Sequence, residues 1–585
     1  MSLIALATGL ALIDAYPARS RYAPGEPVMV EVELDGRANG GERVSAKVTD
    51  LGTPVGNCAS QVVPRDAKTM LIRCRVPTTD FHGYRLSVVL ADRAGRVIGE
   101  RSSAIDVSSN WSRFPRYGYF SRYSKAEGTD PAEWARDMAR FHLNGAQFYD
   151  FQYRHEQPLA GTPERPAAQW KDIAGRPVEA AMVRGLIDSA RQRGIMTMAY
   201  NASYSAYDDA FSRPGPLPLR WATWDRADGP RTAATAKSFD LNLPGWSTTM
   251  LFYMNQNDAG WQRYLQGRMR DLFAVYRFDG WHIDTFGARG AFAHDGTPID
   301  YIAGFAPYIA SARRALGKPI VFNAVATQGQ ALIAKSDAEF VYSELWEDHE
   351  TFADIARSVA EVKAANPDKG YVLAAYVHRR TDRDGPVPAR RTFNPVSVRL
   401  LDAAIFALGA AHIELGDGGR MLSSEYFPND RLSVTPELRA QLRDYYDFAV
   451  ANQHLLRGPD VRNYSATVTI EDQRVTTNAT PGTIWSIPRS TPGQRLFHLI
   501  NLTGSVDGRW RDIAIDQKQP DSIQNSTVLL QTDCRPRKVT ISSPDVRSGE
   551  GVLAVPKVRK STDGWQLAIS DVPLSYWSMI SVQCN

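Results

Sequence analysis

FDGWHIDTFG, residues Phe278 to Gly287, is the stretch that decides the fold. We interpret it as a short strand that enters at its first residue and ends in a loop. Because side chains alternate along a strand, Gly280, His282 and Asp284 share one face, and the residues between them share the other. A carboxylate at the last inward position of a buried strand is costly unless it is paired, hydrogen-bonded or used in chemistry. Taken alone, Asp284 fits a structural role as well as a functional one.

A second stretch of the same design follows sixty residues later. In FVYSELW, residues Phe340 to Trp346, alternation places Phe340, Tyr342 and Glu344 on one face. Two carboxylates that converge at the mouth of a barrel, near aromatic side chains, are what glycoside hydrolysis requires. Sequence spacing does not give their separation in space, so retention or inversion of configuration stays open at this point.

Other chemistries have weaker support in the sequence. His282 and Asp284 could hold a metal, but no second histidine cluster has metal-ligand spacing. No GxSxG motif, phosphate-binding loop or GxGxxG motif occurs after a predicted strand, and no cysteine lies in the central region. We therefore predict no metal and no cofactor.

Composition narrows the class of partner. The chain has 585 residues, 43% hydrophobic and 23% charged, with a net charge of +4. This charge is spread along the chain, which argues against nucleic acid or an anionic membrane as the main partner. The 13 tryptophans and 24 tyrosines suit stacking on sugar rings. We expect a monomer that binds a polysaccharide.

Residues 111–455 alternate short apolar strands with amphipathic helical stretches, which predicts a (β/α)8 barrel with its active site at the strand carboxyl ends. The predicted strands are Tyr117–Phe120, Gly145–Asp150, Met196–Asn201, Gly280–Asp284, Ile320–Ala324, Phe340–Glu344, Tyr371–Val377 and Ala411–Leu415. The predicted helices include Pro131–Phe141, Val178–Arg193, Trp261–Val275 and Pro307–Leu316. The segment from Ala202 to Tyr253 reads as a long structureless loop, and such loops are usually functional.

Two β-rich regions flank the predicted barrel. Residues 1–110 have short alternating runs and turn clusters, typical of an immunoglobulin-like sandwich, and residues 456–585 predict a second antiparallel β-domain. The run Ile4 to Ile13 is too short to span a bilayer and incomplete as a signal peptide, so we interpret it as a first strand.

The four cysteines favour two local disulfides, Cys58 with Cys74 and Cys534 with Cys584, with free buried thiols as the alternative. Such disulfides would indicate an extracellular or periplasmic protein.

The predicted strand ends supply the candidate site residues. Polar side chains at these ends are Asp150, Asn201, Asp284, Asn323, Glu344, His378 and Glu414. Further candidates for substrate contact are Tyr149, His155, Tyr200, His282, Trp246 and Trp346. Singly, each aromatic residue fits a core position and His155 fits a satisfied histidine. As a set at one barrel face, they favour a glycan-binding cleft.

These motifs together resemble glycoside hydrolase family 66, the dextranases and cycloisomaltooligosaccharide glucanotransferases. The resemblance covers most of the chain, beginning at Tyr22 to Glu26 (YAPGE). It rests on FYDFQYRHEQP (148–158), AYNASY (199–204), residues 278–287, residues 322–324 with YSELWE (342–347), GAAHIELG (409–416) and EYFPN (425–429).

The resemblance implies an immunoglobulin-like domain, a (β/α)8 catalytic barrel and a C-terminal Greek-key β-domain. It implies retaining cleavage of α-1,6-linked glucan, with Asp284 matching the nucleophile, Glu344 the acid/base and Asp150 an acidic position that binds substrate. In this scheme the pKa of Glu344 must lie above that of Asp284.

The resemblance further implies that cyclising members of the family carry an additional carbohydrate-binding module between the barrel and its C-terminal part. The chain has no room for one after the eighth strand, which favours a plain endo-dextranase. The alternatives are a transglycosylase, a retaining glycosidase on another α-glycan, and a glycan-binding protein without turnover.

Overall fold

The chain begins with a seven-stranded antiparallel sheet. The computed structural model describes residues 9–241, 243–379, 392–425, 427, 432–524 and 526–585. The first strands are β1 (Ala11–Pro17), β2 (Val28–Asp35), β3 (Arg43–Asp50), β4 (Thr53–Val62), β5 (Thr69–Arg75), β6 (His82–Ala91) and β7 (Val97–Val107). They pair in the order β1-β2-β5-β4-β3-β6-β7. The immunoglobulin-like topology stays a prediction.

Alternation explains how this sheet forms a core. In β2 the side chains of Val28, Val30 and Val32 are fully buried, while the residues between them are half-buried. A disulfide joins Cys58 of β4 to Cys74 of β5, as the sequence predicts. Of the predicted first strand, Ile4 to Ile13, residues 4–8 lie outside the described part of the chain, and β1 begins at Ala11.

The middle of the chain carries a parallel eight-stranded sheet. Its strands and those of its connecting loops are β8 (Tyr117–Phe120), β9 (Gly145–Phe148), β10 (Gln169–Lys171), β11 (Pro177–Glu179), β12 (Met196–Ala202), β13 (Ser205–Tyr207), β14 (Ser238–Asp240), β15 (Met250–Tyr253), β16 (Gly280–Asp284), β17 (Ile320–Asn323), β18 (Phe340–Glu344), β19 (Gly370–Ala374) and β20 (Ala411–His412). The parallel order is β8-β9-β12-β16-β17-β18-β19-β20. All eight predicted strands are present.

A parallel bridge between Tyr119 and Gly416 joins the two ends of this sheet, so that it closes like a barrel. A Cβ atom at Gly416 would lie 2.3 Å from the Tyr119 ring, so glycine is required for this close approach. Inside, a separate cluster of buried side chains includes Met198, Val321 and Val372. The barrel interior is therefore a packed core below the strand ends.

Helices follow the strands and cover the outside of the barrel. They are α1 (Pro131–Arg140), α2 (Ala180–Gln192), α3 (Ala259–Val275), α4 (Tyr301–Leu316), α5 (Gln330–Lys335), α6 (Phe352–Ala365), α7 (Pro395–Ala407), α8 (Pro436–Ala451) and α9 (Gln453–Arg457). Helix α4 starts six residues before the predicted Pro307, which lies inside it; Asp300 caps its first turn. None of the helices described is long and apolar enough to cross a bilayer.

The long segment after β12 is not structureless, contrary to the prediction. Strands β13, β15 and β14 form a small antiparallel sheet in that order. Its hydrogen bonds satisfy the backbone of a segment that would otherwise be an exposed loop, and several of its side chains, including Trp246, reach the strand ends.

The chain closes with two antiparallel sheets. Their strands are β21 (Arg462–Asn463), β22 (Val468–Ile470), β23 (Val475–Thr476), β24 (Ile484–Thr491), β25 (Gln494–Asn501), β26 (Val528–Thr532), β27 (Pro536–Ser542), β28 (Val552–Ala554), β29 (Lys557–Ser561), β30 (Gly564–Ile569) and β31 (Trp577–Cys584). One sheet runs β21-β24-β25-β31-β27-β28, with β23 beside β24, and the other runs β22-β26-β30-β29. The predicted disulfide Cys534–Cys584 is present. The Greek-key description stays a prediction.

Candidate active site

A cleft of about 530 Å³ opens at the carboxyl ends of the parallel strands. Ten of the thirteen candidate site residues line it: Tyr149, Asp150, His155, Tyr200, Trp246, His282, Asp284, Asn323, Glu344 and Trp346. The parallel sheet brings them together because all its strands point their carboxyl ends to one side.

Asn323 connects the two central carboxylates. Its amide nitrogen donates one hydrogen bond to Asp284 Oδ1 at 2.8 Å and another to Glu344 Oε2 at 3.1 Å. Because both oxygens bond the same nitrogen, their separation cannot exceed the sum of the two distances, roughly 6 Å. Retaining glycosidases place their carboxyl groups roughly 5–5.5 Å apart and inverting ones roughly 6.5–9.5 Å apart. The bound favours the retaining geometry.

Each carboxylate also accepts a hydrogen bond from its own tyrosine. The Tyr200 hydroxyl donates to Asp284 Oδ2 at 2.6 Å, and the Thr285 amide donates to Asp284 Oδ1 at 2.8 Å. The Tyr376 hydroxyl donates to Glu344 Oε1 at 2.9 Å. The sequence analysis did not single out Tyr376, although alternation along the seventh strand places it on the inward face with Val372 and Ala374.

The surroundings of the two carboxyls separate their proton affinities. Burial, and then the charge of Asp284, raise the pKa of Glu344 to about 8. Burial also raises the pKa of Asp284, but the hydrogen bonds from Tyr200, Asn323 and Thr285 oppose that rise. Glu344 therefore keeps its proton where Asp284 has lost its own, the state required of an acid beside a nucleophile.

Both histidines of the cleft are neutral. Burial lowers the pKa of His155 and of His282 to about 3. Nδ1 of His155 accepts hydrogen bonds from the Ala202 amide at 3.3 Å and the Gln152 amide at 3.0 Å. Nδ1 of His282 lies within hydrogen-bond distance of the Tyr117 hydroxyl, at 3.0 Å. Because the Ala202 amide can only donate, the His155 ring carries its proton on Nε2.

Asp150 lies two residues after the end of β9 and has a strained backbone conformation. Its φ of 47° lies in the left-handed region, which non-glycine residues rarely adopt. Its carboxyl is buried, and burial raises its pKa to about 7. The Gln152 side-chain amide donates a hydrogen bond to its Oδ1 at 3.3 Å. Strain of this kind concentrates at functional sites.

Aromatic rings and an ion-pair cluster form the walls of the cleft. Tyr149 stacks on Phe427, with ring centroids 4.2 Å apart. Arg379 lies over the Trp346 ring at 4.4 Å and donates to Glu425 at 2.9 Å. Glu425 and Phe427 belong to the motif at 425–429, whose residues 426, 428 and 429 lie outside the described part of the chain.

Three predicted strand-end residues lie away from the cleft. Asn201 neighbours the inward-facing Tyr200, so alternation turns it outward, where its amide donates to the His155 carbonyl at 2.7 Å. Glu414 likewise neighbours the inward-facing Ile413 and is buried with Asp402 and His412.

His378 donates from Nδ1 to the Asp512 carbonyl at 2.7 Å and accepts the Asn394 amide at Nε2.

Two groups of three potential metal ligands occur among the residues described. One is Asp50 with His82 and His454, and the other is Asp402 with His412 and Glu414. Neither group lines the cleft, so the prediction that His282 and Asp284 work without a metal is neither tested nor opposed by them.

Comparison with known proteins identifies the family. The model described as Glycosyl hydrolase family 66 matches residues 17–581. The chain belongs to glycosyl hydrolase family 66. This confirms the resemblance that the sequence motifs carry.

Named relatives of this family 66 chain include both kinds of enzyme. It is 24% identical to a cycloisomaltooligosaccharide glucanotransferase of Niallia circulans, over 98% of this chain and 72% of the relative. It is 22% identical to a dextranase of Streptococcus salivarius, over 86% of this chain and 68% of the relative.

A solved structure has the same fold. The crystal structure of a Paenibacillus sp. cycloisomaltooligosaccharide glucanotransferase, complexed with cycloisomaltoheptaose, superimposes with a TM-score of 0.87 at 24% identity. It covers 98% of this chain and 100% of that one.

Proposed function

We propose that this family 66 chain is an endo-acting glycoside hydrolase that cleaves α-1,6-glucosidic bonds of dextran with retention of configuration. The observation that carries the proposal is the Asn323 bridge, which holds Asp284 and Glu344 within the separation that a double displacement needs. The family membership supports a glycoside as the substrate, and the aromatic walls of the cleft suit sugar rings.

In the first step, Asp284 attacks the anomeric carbon while Glu344 gives its proton to the departing glycosidic oxygen. The carbon–oxygen bond breaks, the leaving chain departs as an alcohol, and the glycosyl group is bound to Asp284. In the second step, Glu344 takes a proton from water, the water oxygen attacks the same carbon, and the bond to Asp284 breaks. Both carboxyls then return to their starting protonation.

Asp150, Tyr149, His155, Tyr200, His282, Asn323 and Trp346 complete the proposed site by contact with substrate. Asp150 is the residue assigned to the sugar at the reacting bond, since its oxygens face the cleft with few protein partners. Neutral His155 offers its Nε2–H as a donor to sugar hydroxyls, and neutral His282 offers its second ring nitrogen as a polar partner. Asn201 and Glu414 are left out because their side chains are bound elsewhere.

A second candidate is the cycloisomaltooligosaccharide-forming transglycosylase, favoured by the names of the relatives. There a sugar hydroxyl replaces water in the second step. The alignment with the Niallia circulans enzyme runs over 719 positions, more than the 585 residues of this chain. That enzyme therefore carries insertions that this chain lacks, and this difference favours hydrolysis here. A glycan-binding protein without turnover is the candidate of a different class.

For the rest of the molecule we propose three domains, 1–110, 111–455 and 456–585, of which the first is immunoglobulin-like and the last a Greek key. We also propose secretion, supported by the two disulfides.

Product analysis with dextran tests the proposal. We expect linear isomaltooligosaccharides from the wild type and none from Asp284→Asn or Glu344→Gln. Asp348→Asn is the matched control, because this exposed carboxylate lies outside the cleft and should leave the products unchanged. Cyclic products would favour the transglycosylase. Binding of dextran without cleavage by the wild type would refute the enzyme proposal and favour the glycan-binding protein.

A further inference from the structure

A second groove lies between the outer face of α6 and the C-terminal β-sheets. It has a volume of about 1040 Å³ and is bordered by α6, by the end of α9 and by strands β21 and β24. None of the residues that line the cleft at the barrel mouth contributes to it. Any ligand of this groove therefore binds separately from the proposed substrate.

Four basic side chains line the groove: Lys363, Arg457, Arg462 and Arg489. The Lys363 ammonium donates only to neutral carbonyls, those of Pro367 at 3.3 Å and Lys369 at 3.1 Å. Arg489 makes no side-chain hydrogen bond or ion pair within the described part of the chain. The groove thus gathers cations that lack an opposite charge.

The acidic residues near the groove do not neutralise these cations. Asp533 accepts two hydrogen bonds at 2.8 Å from Arg495, outside the groove. Asp368, close to Lys363, pairs with Arg113 at 2.9 Å. Asp563 lies on an exposed turn at the rim. The positive charge of the groove therefore stays uncompensated.

Two buried polar atoms of residues that border the groove also lack partners among the described residues. One is the Nε of Arg457, a groove residue that is 7% exposed; the other is the Ser486 hydroxyl oxygen, which alternation along β24 turns to the face opposite Arg489. The other end of the Arg457 guanidinium donates to the Pro115 carbonyl at 3.3 Å. An unpaired buried polar atom costs about 1–3 kcal/mol, so a native structure normally provides it with a partner.

The charges affect one another. Burial, together with the positive charges of Arg113, Arg457 and Arg489, lowers the pKa of Lys363 to about 7. Burial likewise lowers the pKa of Arg457 to about 9 and that of Arg489 to about 10. An anion in the groove would remove the repulsion that these shifts express.

A purely structural role explains part of this arrangement. Lys363 lies in the last turn of α6, where a cation binds the free carbonyls and complements the helix dipole. That role does not account for Arg489 or for the free Nε of Arg457, both of which belong to residues that line the groove.

We propose that this groove binds a doubly charged oxyanion of the phosphate or sulfate class, held by Arg489, Lys363 and Arg457. Guanidinium groups match the geometry of such oxyanions and lysine adds a point charge. The ligand is either the free ion or a phosphate group carried by a sugar, since the groove exceeds the size of the ion alone. The bound group ties the barrel helix α6 to strand β24.

Calorimetric titration and thermal unfolding with inorganic phosphate, sulfate and glucose 6-phosphate test the proposal at constant ionic strength, with sodium chloride as the reference. The wild type is expected to bind phosphate and to unfold at a higher temperature in its presence. Arg489→Gln should weaken binding at least about tenfold, which corresponds to about 1.4 kcal/mol. Arg489→Lys should recover part of it.

Two comparisons make the test decisive. Arg93→Gln, an exposed residue of the N-terminal sheet, makes the same charge change far from the groove and should leave binding unchanged. Tighter binding of glucose 6-phosphate than of phosphate would assign a sugar-borne group, and equal binding the free ion. Unchanged phosphate affinity in both Arg489→Gln and Lys363→Gln, or no binding by the wild type, would overturn the proposal. Glycan cleavage is not the readout, so this result is independent of the proposed function.

Discussion

Removing the hydroxyls of Tyr376 and Tyr200 should move the two limbs of the pH profile of dextran cleavage separately. Tyr376 donates to Glu344 at 2.9 Å and Tyr200 donates to Asp284 at 2.6 Å. Each bond favours the ionised carboxylate, so its loss raises the pKa of its own partner. The acidic limb of kcat/KM reports ionisation of the nucleophile, and the basic limb reports loss of the acid's proton.

The size of the shift follows from the bond. A hydrogen bond to a charged group contributes about 1.5–3 kcal/mol, and one pKa unit corresponds to about 1.4 kcal/mol. Tyr376→Phe should therefore raise the basic limb, which begins near the pKa of about 8 of Glu344, by about 1–2 units and widen the profile. Tyr200→Phe should raise the acidic limb by a similar amount and narrow the profile. Because the two carboxyls interact, each substitution can shift both limbs. The larger shift is expected on the basic limb for Tyr376→Phe and on the acidic limb for Tyr200→Phe.

Tyr371→Phe provides the matched control. Tyr371 belongs to β19, which ends two residues before Tyr376. Its hydroxyl faces outward and forms hydrogen bonds with Ser358 and Gln330, at 2.6 and 2.8 Å. The variant should lose stability and keep the wild-type pH profile. The reasoning is refuted if Tyr376→Phe lowers the basic limb, if both cleft variants narrow the profile, or if neither moves it.

Three further outcomes follow from the same structure. The folded chain holds the Glu344 proton up to a pKa of about 8, whereas the unfolded chain releases it near 4.5, so wild-type stability should fall as pH rises between these values. Glu344→Gln should remove the part of that fall that Glu344 causes, so its stability relative to the wild type should rise by on the order of 1–3 kcal/mol between pH 5 and 9 in urea unfolding, given the partial exposure of the group; a constant difference across pH would contradict this. Asp150→Asn should fold normally, because Asn tolerates a positive φ, yet lose about 10–100-fold in kcat/KM; unchanged kinetics would exclude substrate contact. Replacing Cys534 and Cys584 together with Ala should cost about 2–4 kcal/mol of unfolding free energy without changing kcat, measured by denaturant titration; equal stability would mean that the disulfide adds nothing.

The period of two along short strands was enough to find the central pair. It placed Asp284 and Glu344 inward at the ends of β16 and β18, and the structure confirms the bounds of both strands. The same rule, applied one residue further, excludes Asn201 and Glu414, which neighbour Tyr200 and Ile413. These two were wrong candidates for the cleft because polarity at a strand end was weighed above side-chain direction.

Other features depend on contacts between distant segments, which no local pattern contains. Arg379 reaches Glu425 across 46 residues, and Asn323 reaches one carboxylate on each neighbouring strand. The small sheet of β13, β15 and β14 forms because strands at both ends of a long loop pair with each other. The groove beside α6 requires the C-terminal sheets to pack on a barrel helix, so its cations come from sequence positions 126 residues apart.

The stereochemistry of the first product tests the central claim most directly. Proton NMR of freshly cleaved dextran distinguishes the α-anomer from the β-anomer before mutarotation mixes them. Retention, through Asp284 and Glu344 held together by Asn323, predicts that the α-anomer appears first. An initial β-anomer would mean that water attacks directly, and would contradict the double displacement proposed for this cleft.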